Sequence, residues 1–338
     1  RLTESGAILV AKLSLGTLAN GPHWFGGMTR NPWDIDEGAS GSSAGSGAST
    51  AAGLVGFSIG SETLGSITSP SERCGVVGLR PTYGRVSRYG AMALSWTMDK
   101  LGPMCRGVED CAAVFNTIRG ADPRDPSSAD APFDWNPRER LDGLRIGYLD
   151  EIRRDDATAK ERRSITESAL DVLRSLGASV ETTELPNRHV GEVEIVLAAE
   201  AGSAFDDVTR TAEVDVIAEK DSSNWPDSFR RTRMISAVDY LRAQRVRTLL
   251  IRDMAEGMAD WDLLVAPGTG RLSLHRTNLT GHPALTLPCG FLKGKPEAIT
   301  FMGRLYDEST LLATGLAYER ATEWHKQRPD LSGIQERE

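Results

Sequence analysis

Two stretches of small and hydroxylated residues concentrate the chemistry of this 338-residue sequence: Gly41-Ser42-Ser43-Ala44-Gly45-Ser46-Gly47 and Gly60-Ser61-Glu62-Thr63-Leu64-Gly65-Ser66-Ile67. Glycine lets a backbone approach a substrate closely and turn its N–H groups inward, which is the geometry a developing oxyanion requires. A Gly/Ser run can also be a flexible linker. Here it leads directly into Ala48-Ser49-Thr50-Ala51-Ala52-Gly53-Leu54-Val55-Gly56, small and apolar enough for a buried helix.

Gly41-Ser42-Ser43-Ala44-Gly45 has the form G-x-S-x-G, which would make Ser43 a nucleophile if a strand preceded it. The preceding Asn31-Pro32-Trp33-Asp34-Ile35-Asp36-Glu37-Gly38 is polar and turn-like, so the context fails on that side. The five histidines lend little to a Ser-His-Asp scheme; only His282 has a Gly/Pro-rich neighbourhood that could bring it back to a site.

The elements that must position these residues follow an α/β rhythm. Ala7–Ala11 reads as a short buried strand, and residues 17–35, rich in turn formers and aromatics, as an ordered loop over the site. A helix is expected over 45–55 and a second buried strand over 55–60, with 74–85 irregular but packed. Arg80 and Arg85 there are expected to hold loops rather than touch substrate. Val108–Arg119 is helical by spacing, and 122–137 is a surface excursion. A strand at 144–149, a helix at 157–176 and a strand near Val180 form a βαβ unit, implying partly parallel strands. Helices follow at 192–205 and 234–257, strands at 262–267, 283–290 and 298–302, and a closing helix at 308–326.

Composition bounds the function. A net charge of −8 gives no basic footprint for direct nucleic-acid binding or for an anionic membrane surface. The four cysteines form neither a CxxC pair nor a Cys/His cluster, which points to buried free thiols in a reducing, cytoplasmic setting and to no metal. No apolar run is long enough to span a bilayer. Arg1–Gly6 reads as the end of a helix, so the sequence is expected to start inside a domain.

Taken together, Gly41-Ser42-Ser43-x-Gly45-Ser46, Gly65-Ser66-Ile67, Cys74 through Ser87, and Asp99-Lys100-Leu101-Gly102-Pro103 resemble the core of the amidase signature family. The resemblance resumes at Asn278–Ala284 and Leu287–Gly290 and is weak between about 122 and 260. It implies one large α/β domain, 1–338, with a mixed central sheet flanked by helices. Its core would be 1–121 and 260–328, with a variable substrate side over 122–259.

The resemblance further implies a Ser-cisSer-Lys triad, with Ser66 as nucleophile and Ser42 as the bridging serine after a cis Gly41–Ser42 peptide. The N–H groups of Thr63, Leu64, Gly65 and Ser66 would form the oxyanion hole. A lysine serves as base only if burial lowers its pKa. Lys12 ends a strand that in the family also closes with a lysine that is not the base, so the base is expected upstream of Arg1. Leu64 stands where the family has glycine, so either it keeps a negative φ or the loop is strained. Leu64 could also narrow the acyl pocket. Glu62 would keep the structural role of the family's Asp.

The implied reaction is hydrolysis of a carboxylic amide to a carboxylate and ammonia or an amine through a seryl acyl-enzyme. It involves a small-molecule amide and no cofactor, and it is compatible with a homodimer. Alternatives are the glutaminase component of a tRNA-dependent amidotransferase and a catalytically degenerate scaffold. Trp24, Phe25, Trp96 and Met98 are candidate pocket walls.

Overall fold

The computed structural model describes residues 1–153, 157–185, 190–218 and 225–332. Eight strands form its central sheet: β1 Phe57–Glu62, β2 Val77–Arg80, β3 Lys100–Cys105, β4 Arg145–Tyr148, β5 Ser179–Thr182, β6 Leu263–Pro267, β7 Ala284–Leu292 and β8 Lys295–Gly303. Their spatial order is β1-β3-β2-β7-β8-β6-β4-β5. The pairs from β1 through β6 are antiparallel, whereas β6–β4 and β4–β5 are parallel, so the sheet is mixed.

Helices cover both faces: α1 Ala44–Ala51, α2 Thr68–Cys74, α3 Val108–Ile118, α4 Ala159–Ser175, α5 Ile195–Ala204, α6 Ala237–Gly257, α7 Leu272–Thr280 and α8 Glu308–Thr322. Alternation along the strands sorts the core into layers. Val77, Cys105, Leu285 and Phe301 pack with Phe115 of α3, Leu170 and Leu173 of α4 and Leu316 of α8. On the other face Met302 and Leu264 meet Leu250 and Met254 of α6, while Met104 and Val76 meet Ala44, Ala51 and Ile67 beside α1 and α2. Gly78 shows how close that second layer sits: a Cβ there would lie 2.0 Å from Ser71 Oγ on α2. Only glycine lets α2 lie so near the strand.

The expected βαβ unit is β4-α4-β5, with its strands parallel. Other expectations are corrected. Residues 7–11 form no strand; Ile8, Leu9 and Val10 are 84%, 85% and 71% exposed. Apolar, β-branched side chains favour a strand only where an edge is free to pair. The outer edge of β1 is occupied, because Ser61 N–H donates to Ser43 Oγ and that hydroxyl donates back to the Ser61 carbonyl. The segment 74–85 is not wholly irregular, since β2 crosses the sheet there with all four residues buried. The strand expected at 55–60 lies two residues later, at 57–62. Residues 17–35 contain two small hairpins, His23–Trp24 with Gly27–Met28 and Arg30–Asn31 with Asp34–Gly38. Arg1–Gly6 closes as a turn, with Ser5 N–H on the Arg1 carbonyl and Gly6 at φ +88°.

Buried carboxylates tie the layers together and give the fold a pH signature. Glu319 of α8 accepts the Val108 N–H at the start of α3, and burial, helped by Asp110, pushes its carboxyl up to about 7. The folded state therefore holds a proton that the unfolded chain has released, and this contribution to stability falls as pH rises from about 4.5 to about 7. Glu319→Gln keeps an acceptor for Val108 without the charge. Thermal unfolding should find that variant more stable than the parent at pH 8, by at most about 3 kcal/mol at about 1.4 kcal/mol per pKa unit, with the advantage shrinking towards pH 5.

Candidate active site

The hydroxyls of the two Gly/Ser stretches divide into those the fold uses and those it leaves over. Ser43, fully buried, caps the β1 edge; Ser46 Oγ donates to the Ile59 carbonyl at 2.9 Å, Ser49 Oγ to that of Gly45 at 2.6 Å, and Thr50 pairs with Ser58 at 2.9 Å. Ser43 is therefore a structural residue, consistent with the failed G-x-S-x-G context. Ser42 Oγ is buried without a hydrogen-bond partner among the described residues. Ser66 Oγ likewise has none there.

Two turns bring these serines to one place. Ser42 lies just ahead of α1, after a Gly41–Ser42 peptide that is cis. Ser66 lies between β1 and α2, and Ser43 N–H donates to the Ser66 carbonyl at 3.2 Å, joining the turns. Both serines are buried, Ser42 at 1% and Ser66 at 7% exposure. Gly16 N–H holds the Ser42 carbonyl at 2.9 Å, and Gly45 N–H reaches the Ser14 carbonyl. A Cβ on Gly41 would lie 1.9 Å from the Gly21 carbonyl oxygen, so the glycines here admit the 14–21 segment against the turn.

Between β1 and α2 the chain runs Thr63-Leu64-Gly65-Ser66. Leu64 keeps φ below zero and Gly65 takes φ +89°, which resolves the conformational alternative raised by the leucine: glycine occupies the one left-handed position. Among the described residues no acceptor takes the N–H of Leu64, Gly65 or Ser66. Leu274 of α7 closes one side of the turn, its Cδ2 3.5 Å from where a Cβ on Gly65 would sit.

Glu62 anchors the turn from below. Its Oε2 accepts the N–H groups of Ile67 and Thr68, each at 2.9 Å, and its Oε1 accepts from Arg80 at 2.7 Å and from Asn278 of α7 at 2.9 Å. Burial alone would raise the carboxyl, but the charges of Arg80 and Lys100 and these hydrogen bonds hold it down at about 2. A carboxylate at the first turn of a helix also complements the helix dipole. Thr63 is fixed from the other side, its hydroxyl donating to Asp99 at 2.5 Å.

Arg80 behaves as expected, bonding Glu62, Thr277 and the His282 carbonyl; Arg85 bonds Glu308 and the Ala131 and Pro132 carbonyls. His282 sits behind Arg80, its Nδ1 2.7 Å from Thr280 Oγ1, and burial with the nearby guanidinium lowers it to about 4. It is a neutral packing residue, not part of the serine pair. Lys12 is exposed.

Two contributors escaped the sequence. Asn278 reaches Glu62 from the helix Leu272–Thr280, an element the sequence reading did not assign. Lys100 sits across from Glu62 in the β1–β3 register, buried, with no hydrogen bond to its Nζ among the described residues. Burial first, and then the charge of Arg80, hold its amine well below the ordinary lysine range. A lysine opening an otherwise uncharged strand, Lys100–Cys105, was the available signal. Among the described residues no cluster of three or more His, Cys, Asp or Glu side chains forms a metal site, and no helix is long and apolar enough to cross a membrane.

Known proteins share this architecture and sequence. The Amidase family model matches residues 1–276. The chain is 36% identical over 380 residues to a glutamyl-tRNA(Gln) amidotransferase subunit from Moorella thermoacetica, covering 98% of this chain and 77% of that protein. Against the corresponding protein of Chloroflexus aurantiacus it is 38% identical over 377 residues, with the same coverages. The crystal structure of native peptide amidase from Stenotrophomonas maltophilia superposes with a TM-score of 0.85 at 30% identity, covering 98% of this chain and 77% of that one. With an eight-stranded mixed sheet, a serine-bearing turn at the end of its edge strand and relatives of this extent, the chain belongs to the amidase signature family, and is an amidohydrolase.

Proposed function

We propose that the protein hydrolyses a carboxylic amide by acylation of Ser66. The observation that carries this is the junction of two turns: among the described residues, a Ser66 hydroxyl without a partner, unengaged N–H groups from Leu64 to Ser66, and an unpartnered buried Ser42 hydroxyl on the turn bonded to Ser66 through Ser43. Ser66 Oγ attacks the amide carbon, and Ser42 passes the proton towards an amine base and then to the leaving nitrogen. The N–H groups of Thr63, Leu64, Gly65 and Ser66 bind the oxyanion, each donor of this kind contributing on the order of 10²–10³ in rate. Water then attacks the acyl-enzyme, releasing the carboxylate. Glu62, Arg80 and Asn278 hold the turn and touch no reacting atom.

A cytoplasmic location fits the four buried free cysteines. The 36–38% identity to amidotransferase components supports a second reading, a glutaminase that supplies ammonia within a larger complex. The two separate on one assay. The purified protein alone should release ammonia or amine from simple uncharged amides; turnover of glutamine alone, and only after a partner protein is added, would favour the second.

A further inference from the structure

Beside the nucleophile turn lies a groove of about 440 Å³. Ser61 and Thr63 form one wall; Leu15, Met92, Leu94, Trp96 and Leu101 supply apolar surface. Two of its lining residues connect it to the serine turns. Leu15 immediately precedes Gly16, whose N–H holds the Ser42 carbonyl, and Thr63 is three residues from Ser66. The Thr63 hydroxyl is bonded to Asp99, which also accepts the N–H groups of Leu94 and Ser95, so the groove wall is tied to the turn.

The charges around this groove already have partners within the protein. Arg88 lies 3.7 Å from Asp125 and donates to the Trp96 carbonyl, Tyr83 and Ser127, with its guanidinium over the Tyr83 ring. Arg124 is paired with Asp122 and lies over the Tyr89 ring. Asp125 accepts the Arg88 N–H and both the N–H and hydroxyl of Ser127. A ligand carrying an ammonium and a carboxylate would have to break these pairs or lose its water without replacement, whereas an uncharged apolar group would gain by burying against Trp96 and Met92.

We propose that this groove takes the apolar part of the substrate, so that the enzyme acts on uncharged aryl- or alkyl-bearing amides in preference to free glutamine. The proposal rests on Ser66 as the nucleophile. Trp96, 48% exposed, and Met92, 65% exposed, are groove side chains with large apolar surface left to bury.

Calorimetric titration of Ser66→Ala protein with phenylpropionamide, acetamide and glutamine tests it, together with kcat/KM ratios in the serine-intact protein. Phenylpropionamide should bind, and Trp96→Ala and Met92→Asp should each weaken it about tenfold, the scale of losing one large apolar contact. Each variant should also lower kcat/KM for phenylpropionamide about tenfold more than for acetamide. Glutamine binding as tightly as phenylpropionamide would overturn the proposal, as would variants that leave the substrate ratio unchanged. If Ser66→Ala instead hydrolysed amides at the parental rate while binding still depended on Trp96, the nucleophile assignment would fall and the groove would stand.

Discussion

Ser66→Ala is expected to reduce kcat/KM for an amide by about 10⁴-fold or more, and Ser42→Ala by about 10²–10⁴-fold, with both variants folded. Neither hydroxyl supports the fold through a hydrogen bond: Ser42 Oγ has no partner among the described residues, and Ser66 acts structurally through its carbonyl, which alanine keeps. The loss should therefore fall on kcat, with KM little changed. Because the two act on one proton, the double variant should be little worse than Ser66→Ala alone; multiplicative losses would show that Ser42 does not relay the Ser66 proton. Steady-state kinetics on the four proteins decides this.

The second large effect is on stability. Glu62→Gln should destabilise the fold by about 3–5 kcal/mol, because it leaves the fully buried Arg80 guanidinium facing a neutral group. The side-chain carbonyl of glutamine can still accept from Ile67 or Thr68, so the loss reports mainly the charge. Glu62→Asp keeps the charge and should recover part of it. With its carboxyl near 2 in the folded state against an ordinary 4.5, Glu62 stabilises above about pH 4.5, and that contribution fades as pH falls towards 2. The unfolded chain binds the proton first, so acid favours unfolding. Chemical denaturation from pH 7 down to pH 3 should show the gap between native and Glu62→Gln narrowing; a constant gap would mean the carboxylate is not held by charge.

The sheet was legible where the pattern was local. Leu144–Leu149, Asp262–Pro267 and Pro283–Gly290 are apolar runs bounded by turn residues, and each became a strand; the βαβ unit followed from a helical stretch between two such runs. Failures came where pairing decides. Ala7–Ala11 has a strand's composition but pairs with no strand among the described residues, while β2 is broken by Gly78 in sequence and still lies mid-sheet, because glycine is what admits α2. At the site, Ser42 and Ser66 were visible as hydroxyls among glycines, and the structure joins their turns. The supporting set was less visible. Asn278 reaches Glu62 across 216 residues of chain, and Lys100 meets it only through strand register; neither contact leaves a local pattern.

The most direct test of the central claim is covalent capture of the nucleophile. The protein is incubated with a fluorophosphonate, its intact mass is measured, and the modified peptide is mapped. A single adduct on Ser66, absent in Ser66→Ala and slowed in Ser42→Ala, is the predicted result. An adduct on another serine, or one that persists in Ser66→Ala, would contradict it.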